Sequence, residues 1–322
     1  MFKRSLLTAV FSMISLSALA GLPTNVANEG KAYAGSIPPQ GIANVFDGNS
    51  LSQIDFAHYV AIIWDEARTL DRVIMEQCPG YVVPSYAIQV AKAGVTNPDP
   101  TTNDDWYTVA TFTGIAANSA PSFAFDVDWA TTGVRFVVDD VGTLGNGRMR
   151  EIWAFENYTN VAPLATFSAP GWSPGASFND ETTTIQVHSQ ADPIATGRQY
   201  VYATFDELVT LDASCIVGGS SNAAELLIDY KIWFWDYTLG DDGDWAVALS
   251  VVGNTARTDW RDFDVAGTSD QWRLEVIKAT GSGTNPDNWA RISEIMLFAP
   301  IPEPATMTLL ALGGLALLRR RR

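Results

Sequence analysis

Histidine and cysteine are scarce in this chain, with two of each in 322 residues. His58 and His188 stand alone, so neither a Ser-His-Asp arrangement nor a histidine-based metal site has its partners gathered in the sequence. Cys78 and Cys215 are too few for a disulfide framework, and a chain of this length needs none to build a core. They form either one bridge or two buried thiols. Positive charge is thin as well. Two of the 20 basic residues lie in the first twenty positions and four in the last eighteen, and neither stretch holds Asp or Glu. The body between them therefore carries 14 basic against 36 acidic groups, a formal charge of −22. Such a surface repels nucleic acid, and it favours cations, basic partners or neutral ligands. Sustained apolar stripes at 3.6-residue spacing are missing between the two ends, which leaves little room for a helical fold.

The ends themselves are distinctive. Lys3 and Arg4 precede an apolar run from Leu6 to Leu19, and Ala18-Leu19-Ala20 places small residues, Ala18 and Ala20, at both positions of an A-x-A cleavage site. This pattern predicts a signal peptide over 1–20 and a mature start at Gly21, in a compartment where disulfides are permitted. At the other end, Pro302-Glu303-Pro304 leads into an apolar stretch from Ala305 to Leu318, followed by Arg319, Arg320, Arg321 and Arg322. As a helix that stretch would be about 21 Å long, short of a full bilayer core, with arginine stems long enough to cover part of the mismatch. The basic cluster holds that end in the cytoplasm and leaves the body outside. This tail, 302–322, looks like the PEP-CTERM sorting signal that bacterial exosortases process. The resemblance implies an exported protein, anchored in the membrane by a short C-terminal transmembrane helix until an exosortase acts on it.

Between the ends the chain repeats itself. Trp64-Asp65-Glu66-Ala67-Arg68-Thr69-Leu70-Asp71 matches Phe205-Asp206-Glu207-Leu208-Val209-Thr210-Leu211-Asp212. Tyr86, Ile88 and Val90 match Tyr230, Ile232 and Phe234; Asp105-Trp106 matches Asp244-Trp245; Phe125-Asp126-Val127 matches Phe263-Asp264-Val265. Arg135 matches Arg273, and Glu151-Ile152 with Phe155 matches Glu294-Ile295 with Phe298. The offsets stay between 138 and 144 through six ordered landmarks, so a unit was duplicated. Each unit alternates at period two, as in Tyr86 to Val90 and Val134 to Val138, with turn-rich pieces such as Asn97-Pro98-Asp99-Pro100 between. The expected fold is all-β, two tandem jelly-roll β-sandwiches over 41–157 and 176–299. Residues 21–40 and 158–175 are expected to be linkers, the second because Pro163, Pro170 and Pro174 interrupt it.

An Asp-Gly opening at Asp47-Gly48, a Leu-Asp strand, an alternating strand before Asp-Trp, an arginine strand and a closing Glu-Ile-x-x-Phe strand together resemble the discoidin, or coagulation-factor type C, domain. That domain belongs to the galactose-binding-like jelly rolls, which include many bacterial carbohydrate-binding modules. The likeness departs at Ile54, where the family often has Trp, and in the second unit, where Phe178-Asn179-Asp180-Glu181 stands in place of an Asp-Gly opening. The resemblance implies a calcium ion tying the opening loop to the last strand, with Asp47, Asn49, Ser52 and Glu151 as ligands of the mixed oxygen type hard cations prefer. Asp180, Glu181, Thr184 and Glu294 are the corresponding set in the second unit.

Residues common to both units, Arg135 with Arg273 and Trp106 with Trp245, are expected to hold the shared fold. Ligand-binding residues are sought among aromatics beside turns: Trp129, Trp172, Trp260 and Trp289. Sugars stack on flat exposed rings while polar neighbours bond their hydroxyls. The expectation is a non-catalytic, envelope-associated protein that binds polysaccharide. Two alternatives are a structural protein of the extracellular matrix, and a glycoside hydrolase, which would need two carboxylates facing each other at about 5–10 Å.

Overall fold

The computed structural model describes residues 22–35, 42, 54–77, 83–115, 122–140, 147–170, 172, 187–188, 199–218, 226–280 and 290–300. The expected signal segment with Ala18 and Ala20, the tail from Pro302, the residues Asp47, Asn49, Ser52, Cys78 and Trp289, and the set Asp180, Glu181 and Thr184 lie outside them. The described chain is almost wholly strand. Its first half contains β1 (Thr24–Asn25), β2 (Lys31–Ala34), β3 (Ile54–Phe56), β4 (Tyr59–Gln77), β5 (Ser85–Ala91), β6 (Trp106–Thr113), β7 (Ser122–Asp140) and β8 (Gly147–Glu156). The second half contains β9 (Thr166–Ser168), β10 (Val187–His188), β11 (Gln199–Gly218), β12 (Leu227–Asp236), β13 (Asp244–Val251), β14 (Thr258–Ala279) and β15 (Arg291–Phe298).

Among the described residues each half forms its own sheet, in the order β1-β8-β4-β7-β5-β6 and β10-β15-β11-β14-β12-β13. The long strands turn these connected sheets into sandwiches. β4 pairs β2 through Val60–Ile63 and β8 through Arg72–Gln77, with its register with β7 shifting between Ile63 and Arg72. Such irregularities let one strand bend from one layer into the other. Val60, Ile62 and Trp64 from one end of β4 thereby meet Leu70, Val73 and Met75 from the other in a single core. Tyr86, Ile88 and Val90 are fully buried in that core, as their alternation predicts.

Duplication is visible in the hydrogen-bond ladders. Ala61 pairs Arg135, which pairs Gln89; Tyr202 pairs Arg273, which pairs Trp233. Arg72 faces Phe155 as Ala213 faces Phe298, and Glu76 faces Glu151 as Val217 faces Glu294.

The described parts of the segments expected to be linkers, 22–35 and 158–170, hold strands and 3-10 turns of their own. Thr24-Asn25-Val26-Ala27 recurs as Thr159-Asn160-Val161-Ala162, and each copy enters its sandwich the same way. Asn25 Oδ1 accepts from the amides of Ala27 (3.1 Å) and Ala154 (3.3 Å). Asn160 Oδ1 accepts from the amides of Ala162 (3.0 Å) and Leu297 (3.0 Å). Pro163 does not break this stretch, because it sits in the first turn of the 3-10 helix Ala162–Leu164, where no amide donor is needed. The chain passes from one sandwich to the other at Asn157, whose φ of 59° is left-handed.

The two sandwiches share a buried contact. Ile74, Trp153 and Phe155 on the outer face of β4 and β8 pack with Tyr158 and Trp260. Those two also pack on Ala213, Cys215, Val217, Met296 and Phe298, the matching face of β11 and β15. Glu76 and Arg257, both buried, form an ion pair across this contact. Cys215 lies there as a free, fully buried thiol, which burial pushes far up from its ordinary pKa.

Candidate functional site

In β6, Trp106 lies on the sheet face away from the core, nearly fully buried beside Ala61 and Ile63, with Nε1 donating to the Asp99 carbonyl at 2.7 Å. Strand alternation puts Tyr107 on the other face, opposite the core residue Val90, and on this edge strand it is 55% exposed. Trp129 in β7 is half-buried and lies offset-stacked against Tyr107, centroids 6.1 Å apart and planes 11° apart. Phe125, buried behind, tilts against Trp129 at 6.2 Å and fixes its position. The two rings bound an open hollow of about 500 Å³, completed by the small residues Ala91, Ala93 and Ala130 and by Lys92. Among the described residues lining it there is no Asp or Glu.

The loop 92–105 that rims this hollow is held in one shape. The Lys92 amide donates to the Asp105 carbonyl at 2.8 Å, and the Asp99 amide to Asp105 Oδ2 at 2.9 Å. Gly94, at φ 84°, makes the turn that an L side chain would strain. Thr101 bonds Asp99 Oδ1 through both amide and hydroxyl, which lowers the Asp99 pKa. Beneath the loop, Arg135 is nearly fully buried with its donors taken up. Nε donates to Gln89 Oε1 at 2.9 Å, Nη1 to the carbonyls of Pro100 (2.7 Å) and Thr102 (2.6 Å), and Nη2 to Asn103 Oδ1 at 2.8 Å. Its guanidinium also lies over the Trp106 ring at 4.7 Å. Arg135 and Trp106 thus hold the loop to the sheet, in the fold-keeping role expected of residues common to both units.

The other tryptophans expected to be exposed are placed differently. Trp172 is 5% exposed and belongs to the core of the second sandwich. Trp260 is taken up by the contact between sandwiches, 5.3 Å from Trp153, 5.2 Å from Phe155 and 5.7 Å from Phe298. Neighbouring Gly, Pro and Asp residues drew attention to both, but turn neighbours do not decide which way a ring faces. Tyr107 shares its face with core residues and is exposed because β6 is the edge strand, which no local sequence pattern marks. Glu151, expected as a calcium ligand, is fully buried in β8. No group of three or more His, Cys, Asp or Glu suited to a metal occurs among the described residues.

Comparison with known proteins adds an address. Residues 300–322 match the PEP-CTERM protein-sorting motif. The sorting motif lies beyond the second sandwich, and among the described residues no helix is long and apolar enough to cross a membrane. No curated protein matches the chain. Solved structures similar to it include the CBM32-1, CBM32-2 and M60 catalytic domains of Clostridium perfringens ZmpB (11% identity, TM-score 0.34, 86% of this chain and 38% of that one). Others are a fucolectin from Morone saxatilis serum (13%, TM-score 0.32, 87% and 99%) and the family 32 module of C. perfringens NanJ in complex with galactose (14%, TM-score 0.35, 44% and 98%). The chain spans well under half of the first of these. No ligand and no site residue is carried over from them.

Proposed function

We propose that this is an exported cell-surface protein that binds neutral polysaccharide without transforming it, through the hollow between Tyr107 and Trp129. The observation that carries this reading is the parallel ring pair beside an open, alanine-walled space. A pyranose presents an apolar C–H face that stacks on such rings, and small walls let the ring approach closely. Among the described residues the lining offers rings and small side chains for binding, whereas glycoside hydrolysis needs an acid and a second carboxylate. The strongly acidic body favours neutral chains over acidic ones.

Titration of soluble neutral polysaccharides, followed by calorimetry, tests the reading. Trp129→Ala is expected to weaken binding about ten-fold or more, roughly 1.4 kcal/mol, and Tyr107→Ala somewhat less. Saturable binding untouched by both substitutions, or no binding to any glycan, would overturn it in favour of a structural matrix role.

Two further expectations belong to the same reading. An exosortase recognises Pro302-Glu303-Pro304 and removes the tail, so Glu303→Ala is expected to leave full-length protein in the membrane fraction. Calcium, held by Asp47, Asn49, Ser52 and Glu151, stabilises the first sandwich. What supports it in the fold is the fully buried carboxylate of Glu151 at the closing strand. A chelator is then expected to lower Tm, with calcium restoring it.

A further inference from the structure

Arg273 is the second-unit counterpart of Arg135, and its surroundings are altered in one direction. The loop that caps Arg135 spans 92–105; its counterpart between β12 and β13 is the shorter stretch 237–243. Among the described residues nothing replaces the carbonyls of Pro100 and Thr102 or the Asn103 side chain. Arg273 is half-buried, and its Nε is buried without a hydrogen-bond partner. Instead its guanidinium lies against three rings: Trp245 at 4.1 Å, Tyr200 at 4.9 Å and Trp233 at 5.1 Å.

The face around it has changed in step. Register places Tyr202 where the first unit has Ala61, Trp233 where it has Gln89, and Trp235 where it has Ala91. Tyr200, Tyr202, Trp233, Trp235 and Trp245 are all half-buried, alternating with the buried Val201, Ala203, Ile232 and Phe234 behind them. Tyr202, Arg273 and Trp233 are direct cross-strand neighbours, and Trp235 faces Trp245 across the next pair. The core does not ask for this, since the first unit closes with alanine and glutamine at these places. Three added rings crowd a cation whose cap has been shortened, with Tyr202 tilted at 58° and Trp235 edge-on at 81° to Trp245, and the Arg273 guanidinium over Trp245 among them.

We infer that this outer face of β11, β14, β12 and β13 is a second binding surface, for an extended neutral polysaccharide chain. Successive sugar rings stack on Tyr202, Trp233, Trp235 and Trp245, and Arg273 donates to their hydroxyl and ring oxygens. Neutral sugar is the occupant on grounds of charge. Lys231 and Arg273 stand beside Glu275, which accepts from Trp233 Nε1 at 2.8 Å, so the cations are partly offset while the body around them is strongly acidic. This surface is on the opposite sandwich from the hollow and stands on its own residues.

The test uses the full mature chain carrying Tyr107→Ala and Trp129→Ala, so that the hollow contributes nothing. Tryptophan fluorescence is followed while neutral β-glucan and α-glucan hexasaccharides, or polygalacturonate, are added. Saturable quenching by a neutral hexasaccharide is expected. Adding Tyr202→Ala and Trp233→Gln, the residues the first unit tolerates in those places, is expected to weaken it at least ten-fold with Tm changed by only a few degrees. Arg273→Lys, which keeps the charge but loses the planar fork, is expected to weaken it several-fold. Binding only to polygalacturonate, or no saturable signal, overturns the inference. So does a self-associated chain in sedimentation that Trp233→Gln renders monomeric, because the occupant would then be a second copy.

Discussion

The two sandwiches place the same arginine at the same rung of the same ladder, and they surround it differently. In the first, a long loop folds over Arg135, takes up its donors and converts a sheet face into interior. In the second, a short loop stops at the edge, and rings fill the neighbouring positions. Ladder register, the entering Asn-Val-Ala turn and the Glu-Ile strand agree in both units, so they report what the fold requires. Loop length and face residues disagree, so they report what each unit does on its own. Duplicated chains therefore separate structural from functional residues without any outside relative, provided the register is known.

The largest test of this division falls where the units meet. Glu76 has Val217 as its counterpart, and its partner Arg257 comes from the other sandwich, so the pair belongs to the assembly and not to the repeat. Glu76→Ala leaves Arg257 buried without that carboxylate and is expected to cost about 3–5 kcal/mol in denaturant unfolding. Glu76→Val with Arg257→Met is expected to recover most of it. If Glu76→Ala costs less than about 1 kcal/mol, the sandwiches do not unfold as a coupled pair.

Next in size is a pH effect that sets Asp212 against Asp71. Asp71 Oδ2 accepts the Tyr158 amide at 3.2 Å, whereas Asp212 is 7% exposed and its oxygens take no hydrogen bond from another residue. Burial is the largest cause, partly offset by Asp212's own backbone amide, and with the nearby Asp262 charge it raises the Asp212 pKa from 3.8 to about 6. A carboxyl raised on folding binds more protons in the native state between those two values, so stability falls as pH rises through that window. Above it the penalty is fully present, on the order of 2–3 kcal/mol. Asp212→Asn is expected to stabilise the protein by up to that amount at pH 8 and by almost nothing at pH 4, read from Tm against pH. A gain equal at both pH values would show that Asp212 does not titrate in this window.

Much of this architecture was legible in the sequence. Period-two alternation marked the strands, and offsets of 138 to 144 marked the duplication. Pro163, Pro170 and Pro174 suggest a break after the first unit, whereas the repeat of Thr24-Asn25-Val26-Ala27 as Thr159-Asn160-Val161-Ala162 marks where each sandwich is entered. The contact between sandwiches also left a trace. Ile152-Trp153-Ala154-Phe155 and Ile295-Met296-Leu297-Phe298 are apolar without alternation, the pattern of a strand covered on both faces. That pattern says a face is covered and not by what, so Trp260 could not be assigned to it. Which rings face water depends on loop length over the sheet, a tertiary property with no local signature.

The smallest predicted effect examines the hollow from the other unit. Register places Gly267 at the position of Trp129, and Phe234 at the position of Val90. A Cβ on Gly267 would lie 2.6 Å from Cδ1 and Cγ of Phe234, a ring held against Trp272 at 5.5 Å. Bulk has moved between neighbouring strands: the first unit has a small valine and a large tryptophan at these places, and the second a large phenylalanine and no side chain at all. Gly267→Ala is therefore expected to cost about 1–3 kcal/mol by overpacking. Phe234→Val costs a similar amount through the cavity it leaves. Together they are expected to cost less than their sum by at least 0.5 kcal/mol, because each makes the room or fills the space the other leaves. Strict additivity in denaturant titrations would mean that the aromatic pair at the hollow arose without this exchange of volume.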